Sequence, residues 1–141
     1  MTEIKAGASV YIDTNIFVYY IEETPIFYEK ARDVLDELIR RKTDIVSSEL
    51  TRAECIYKPC RDNDSRLVTV YEGLFGSGDV SVVKVDGVLI NSGAKNGGRL
   101  GLKLIDAIHY MAALEYGCAY FITSDAQFRS GPEMEVILIS R

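Results

Sequence analysis

Apolar positions along the chain follow two rhythms in turn, one suited to strands and one to helices. The first run, Ser9 to Asp13, is apolar on both faces, with Val10 and Ile12 on one side and Tyr11 on the other. Such a strand is usually buried in a sheet covered by helices. Asn15 to Glu22 carries Ile16, Phe17, Tyr20 and Ile21 at helical spacing. Thr24-Pro25 fits the start of a second helix reaching about Arg41, because Pro is tolerated in a first turn. There Phe27, Ala31, Val34, Leu35, Leu38 and Ile39 form an inward stripe, while Glu29, Arg32, Asp36 and Arg40 form the solvated face.

The alternation continues to the end. Asp44 to Ser47 reads as a second strand, and Ser48 caps a helix from Glu49 to about Tyr57 that stops before Pro59. Asp62 to Asp64 is a loop and cap. Arg66 to Phe75 follows as a helix with Leu67, Val70, Tyr71 and Leu74 inward, then a turn at Gly76 to Asp79. Val80 to Val85 is the third strand. Asp86 caps a helix from Gly87 to about Lys95, which Asn96-Gly97-Gly98 should end. A helix from Leu102 to about Tyr116 is closed by Gly117, Ala119 to Thr123 is the fourth strand, Gln127 to Met134 a loop, and Glu135 to Ile139 the last strand. This order predicts an α/β fold with a mainly parallel sheet and helices on both faces.

With 141 residues, 48% of them hydrophobic and 26% charged, residues 1–141 form one ordinary globular domain. No apolar run approaches a membrane span, and Met1 to Ala6 lacks a signal-peptide layout, so a cytoplasmic location is expected. Cys55, Cys60 and Cys118 have no CxxC spacing and His109 is the one histidine, which argues against zinc and for free buried thiols. The net charge of −5 argues against a general nucleic-acid binder with a basic surface. It leaves room for an acidic site that binds divalent cations.

Four acids carry the candidate chemistry. Asp13 stands at the carboxyl end of the first strand, the edge where ligands bind in open α/β sheets; alternatively it and Thr14 turn the chain into the next helix. Asp106 lies on an apolar helix, where an acid needs a partner; a salt bridge to Lys103 or Arg99, or the helix dipole, would also account for it. Glu54 either projects from the second turn of a helix capped by Ser48, or serves a capping box with Thr51. Asp125, after Thr123 and Ser124, repeats the arrangement at Asp13 or caps the turn toward Phe128. If all four converge, their mutual repulsion makes sense only around a cation, and oxygen-only ligands favour Mg²⁺ or Mn²⁺.

The ordered set Tyr11-Ile12-Asp13-Thr14-Asn15, Ser47-Ser48 with Glu54, Leu104-Ile105-Asp106-Ala107-Ile108-His109, and Thr123-Ser124-Asp125 with Phe128 resembles the PIN-domain family. It is most similar to its small VapC-like ribonuclease toxins. The resemblance spans about Tyr11 to Ile139. It implies a three-layer α/β/α sandwich and a Mg²⁺- or Mn²⁺-dependent endoribonuclease, with Asp13, Glu54, Asp106 and Asp125 as its catalytic and metal-binding acids. Asn15, Thr123 and Ser124 would orient substrate or support those acids. An RNA substrate, an antitoxin partner and a homodimer are implied as well. Gln127 stands where many relatives place another acid.

Other residues have two readings each. His109, one turn beyond Asp106, is a packed helix residue or a ligand. Lys58, Arg61, Arg66 and Arg99 contact phosphates or are ordinary surface charge. Tyr19, Tyr20 and Tyr57 stack bases or serve core and dimer contacts. Two other functions are open to such a chain: a non-catalytic PIN module that binds RNA or protein, and a phosphatase of the haloacid dehalogenase type. The latter wants a second Asp two residues after the first, where this chain has Asn15.

Overall fold

A computed structural model describes residues 3–140. Met1 and Thr2, which begin the amino-terminal segment read above, and Arg141 lie outside them. The elements are β1 (Ser9–Ile12), α1 (Thr14–Ile21), α2 (Tyr28–Arg40), β2 (Asp44–Ser48), α3 (Glu49–Arg61), α4 (Ser65–Gly76), β3 (Val80–Val83), α5 (Gly87–Leu100), α6 (Leu104–Tyr116), β4 (Tyr120–Thr123) and β5 (Glu135–Leu138). The five strands form one sheet in the order β3-β2-β1-β4-β5. Every neighbouring pair is parallel. In register, Tyr11 of β1 faces Val46 of β2 and Phe121 of β4.

The two faces of β1 feed two cores. Val10 and Ile12 join Ile16, Phe17, Leu35, Leu38, Cys55, Tyr71 and Phe75, from α1 to α4. Tyr11 joins Val46 of β2, Phe121 of β4, Leu89 of α5, and Ala107, Ile108 and Met111 of α6. The result is the expected three-layer α/β/α sandwich.

Several boundaries depart from expectation, most of them for a local reason. The second helix begins at Tyr28 rather than near Thr24. Ile26 has φ 77°, outside the helical region, and the Thr24 carbonyl instead accepts the Tyr28 N–H. α3 runs through Pro59 to Arg61. The proline lies within the last turn, so its missing N–H affects one carbonyl, and its ring is buried. α5 runs through Asn96-Gly97-Gly98 and stops at Gly101, which takes the left-handed conformation at φ 68°. Gly97 and Gly93 are packing residues: a Cβ on Gly97 would stand 3.2 Å from the Ala107 Cβ, and one on Gly93 would stand 2.6 Å from Ile108 Cγ1. β3 ends at Val83 instead of Val85, and α6 starts at Leu104 instead of Leu102.

Three exposures also differ. Ile39 and Val70, expected inward, are mostly or partly exposed. Of the free cysteines, Cys55 and Cys118 are buried, but Cys60 is exposed.

Candidate functional site

The carboxyl ends of β1 and β4 are adjacent, and the chain leaves both on the same side of the sheet. There a shallow pocket of about 320 Å³ is lined by Asp13, Thr14, Asn15, Val18, Tyr19, Glu54, Asp106, His109 and Asp125. All four predicted acids line it. A larger cleft of about 860 Å³ lies elsewhere, between α2 and β5, and holds none of them.

Asp13 is both a helix cap and a member of the acidic cluster. Its Oδ1 accepts the Thr14 N–H at 2.8 Å, and its Oδ2 accepts the Thr123 hydroxyl at 2.7 Å and Asn15 Nδ2 at 3.3 Å. The carboxylate is buried at 6% exposure. Burial raises its pKa and outweighs the lowering effects of His109, Thr123 and Thr14. Asn15 also accepts the Ser124 N–H through its own oxygen at 3.3 Å, which ties the end of β1 to the end of β4. Ser124 Oγ lies 2.9 Å from the Tyr19 hydroxyl. The three supporting residues predicted from sequence are therefore gathered with Asp13.

Glu54 projects from α3 as expected from a cap at Ser48, whose Oγ accepts the Thr51 N–H at 3.3 Å. It serves no capping box. Its Oε1 accepts the Thr14 hydroxyl at 2.7 Å and meets His109 Nε2 at 2.5 Å. Burial alone would raise its pKa, but the hydrogen bond and charge of His109, with Thr14, bring the net pKa down.

Asp106 has neither Lys103 nor Arg99 as a partner; Arg99 binds Asn96 instead. Its helix turn is less enclosed than the sequence suggests, with Leu104 at 51% and Ile105 at 44% exposure. Its pKa is raised by partial burial first, then by the charges of Asp125 and Asp13. Asp125 caps its turn, Oδ1 accepting the Gln127 N–H at 2.9 Å, while also lining the pocket.

Sequence reasoning assigns no site role of their own to Tyr11 and Thr14, and casts His109 as packing or ligand. In the fold both nitrogens of His109 are engaged, Nδ1 with the Tyr11 hydroxyl at 2.7 Å and Nε2 with Glu54. Neither is free for a metal. The available signal was the pair itself: a tyrosine in a fully buried strand and a histidine on an apolar helix each need a polar partner. Of the other candidates, only Tyr19 lines the pocket. Lys58, Arg61 and Arg66 are exposed away from it. Tyr57 is exposed, and Tyr20 stacks on Tyr28.

The donors offered to an ion are carboxylate and hydroxyl oxygens, which suit hard divalent cations. Among the described residues, no three His, Cys, Asp or Glu side chains already form a metal-holding group. Repelling carboxylates have no reason to close on one another by themselves. Mg²⁺ keeps several waters and takes only one or two carboxylates directly, so the donor chemistry fits an ion that enters hydrated.

Several solved structures share this architecture at low sequence identity. VapBC2 from Rickettsia felis, solved bound to a DNA fragment from its promoter, aligns with a TM-score of 0.71 and 18% identity, covering 93% of this chain and 98% of that one. DNA-bound VapBC from Salmonella typhimurium gives 0.70 and 17%, covering 92% and 97%. VapC20 from Mycobacterium tuberculosis, a toxin that cleaves the sarcin–ricin loop, gives 0.66 and 16%, covering 79% and 86%. No curated protein matches the sequence significantly. The PIN domain profile matches residues 10–133, a span that takes in all four pocket carboxylates, and the chain belongs to the PIN-domain family.

Proposed function

We propose that the chain, as a single domain over residues 1–141, is a Mg²⁺- or Mn²⁺-dependent endoribonuclease and the toxin of a type II toxin–antitoxin pair. The observation that carries this reading is one pocket lined by Asp13, Glu54, Asp106 and Asp125, with no Lys or Arg among its lining residues. A phosphodiester approaching such a pocket meets mainly negative charge, because His109 is turned onto Glu54. Even in bulk water, each phosphate–carboxylate pair at ~4 Å costs about 1 kcal/mol. A divalent cation reverses that sign, and when bound it polarises a phosphoryl oxygen and lowers the pKa of water.

The chain's own residues have separate tasks in this reading. Asp13, Glu54, Asp106 and Asp125 hold the ion. Thr123 and Asn15 fix the Asp13 carboxylate through the bonds described above, and the Ser124 N–H locks Asn15 in place. Asn15, Thr123 and Ser124 thereby orient the site without carrying charge into it. The pocket is open and shallow, which suits an unpaired, flexible RNA segment better than a rigid duplex.

A protein partner is supported by Leu104 and Ile105, exposed apolar residues immediately before Asp106 on the first turn of α6. It is supported also by a similar structure from Klebsiella pneumoniae, which is a toxin–antitoxin complex. An antitoxin seated on this apolar surface would lie on the helix turn that carries Asp106. A homodimer and a cytoplasmic location complete the proposal; no described helix is long and apolar enough to cross a membrane.

Purified protein should cleave RNA with Mg²⁺ or Mn²⁺ and lose that activity on chelation. Asp13→Asn and Asp106→Asn should each reduce cleavage by at least about a hundredfold, the scale of losing one group that stabilises transition-state charge, with unchanged circular dichroism. Full activity in both variants would defeat the assignment.

A further inference from the structure

Glu54 is held by a line of buried side chains that the chemistry above does not otherwise use. Tyr11 and His109 are 0% and 1% exposed. The phenol ring stacks on Phe121 at 5.1 Å between centroids and meets the imidazole edge-on at 5.9 Å. Its hydroxyl lies 2.7 Å from His109 Nδ1, 2.9 Å from Ser48 Oγ and 3.3 Å from Thr51 Oγ1. Ser48 is also the cap of α3, the helix that carries Glu54. One connected set of hydrogen bonds thus runs from β1 through α6 to the Glu54 carboxylate, with a side branch to the start of α3.

The protons follow from the acceptors. An ionised Glu54 can only accept, so His109 Nε2 presents N–H to it. Nδ1 then shares its hydrogen bond with the Tyr11 hydroxyl, whichever of the two donates. Both bonds to Glu54, from His109 and from Thr14, go to Oε1. Oε2 has no protein donor among the described residues. The Glu54 side chain is 37% exposed. Without those two bonds it would sample several rotamers, and binding would have to freeze them.

We propose that His109, locked in place by Tyr11, is a positioning residue that fixes Glu54 through Oε1 and so leaves Oε2 free for the divalent cation. The inference rests on the reading of Glu54 as an ion-binding carboxylate. Partners behind a metal ligand are typically worth 10- to 100-fold in affinity. A histidine that only filled space would have no such effect on the ion.

The test is Mn²⁺ binding to the full metal-free chain, followed by calorimetry and by electron paramagnetic resonance, with thermal melts to verify folding. His109→Leu should weaken binding about 10- to 100-fold. His109→Gln, whose amide can offer N–H near the Nε2 position, should recover most of that loss. In a Glu54→Gln background, His109→Leu should have no further effect, because the two residues act as one unit. Weakened binding in Glu54→Gln with unchanged binding in His109→Leu would overturn the positioning role alone. Losses that multiply in the double variant would do the same. Unchanged binding in Glu54→Gln would remove the ion-binding reading of Glu54 and this inference with it. If His109→Leu does not fold, Tyr11→Phe, which deletes only the hydroxyl, should still weaken Mn²⁺ binding, and unchanged affinity there would overturn the proposal.

Discussion

Asp106 sits in the first turn of α6, where a helix dipole favours negative charge. Its pKa is nevertheless raised, because partial burial and the charges of Asp125 and Asp13 outweigh the lowering effect of His109. The consequence for stability has a definite sign. A carboxyl whose folded pKa exceeds its unfolded value binds its proton more tightly in the folded state, so the metal-free protein loses stability as pH rises from about 4, the unfolded Asp value, through the raised one. Asp13 acts in the same direction. Glu54, with a lowered pKa, acts oppositely and stabilises above the unfolded Glu value. Replacing Asp106 isolates one contribution. In chelator, Asp106→Asn should melt higher than the parent near pH 7 and show no advantage below about pH 4. The gain should be on the order of 0.5 kcal/mol, small because water screens a partly exposed group. A variant that melts lower at neutral pH would contradict the account of a self-repelling acidic site.

At the scale of elements, α5 against α6 decides where Asp106 and His109 stand. The contact is close because Gly93 and Gly97 face α6. At Gly93 a Cβ would approach Ile108 Cγ1 to 2.6 Å and its backbone to 3.1 Å, so the helices would have to separate. Ala is better than Gly in a helix by about 1 kcal/mol, whereas overpacking costs ~1–3 kcal/mol. Gly93→Ala should therefore be net destabilising and, through the neighbours of Ile108, should also reduce activity. A methyl group added at Gly98 would meet nothing within 4 Å. Gly98→Ala should instead raise stability by up to about 1 kcal/mol. Denaturant melts of the pair check both signs, and equal effects from the two substitutions would contradict this view of the helix contact.

For the whole molecule, sheet order does the gathering. β1 lies between β2 and β4, so the ends carrying Asp13 and Asp125 are neighbours, and α3 and α6 bring Glu54 and Asp106 to the same edge. Much of this was legible in the sequence, because an apolar strand ending in an acid appears twice and each acid had a definable place on its element. The bond between Glu54 and His109 was not legible. It joins residues 55 positions apart and depends on how two helices face each other across a strand end. The ends of α3 and α5 escape a sequence reading for a related reason. Pro59 and Gly97 are local stop signals, but a buried proline ring and a close helix contact override them. The sequence also hid the exposure of Leu104 and Ile105, since an apolar helix does not reveal which turn meets solvent.

The central claim is that these carboxylates share one divalent cation. Anomalous X-ray scattering from crystals grown with saturating Mn²⁺ addresses it directly. The account predicts a single strong peak within coordination distance, about 2–2.6 Å, of at least one oxygen from Asp13 or Asp106, with the remaining acids reached directly or through water. A pocket without a peak at saturating Mn²⁺, or peaks only at other acidic surfaces, would contradict it.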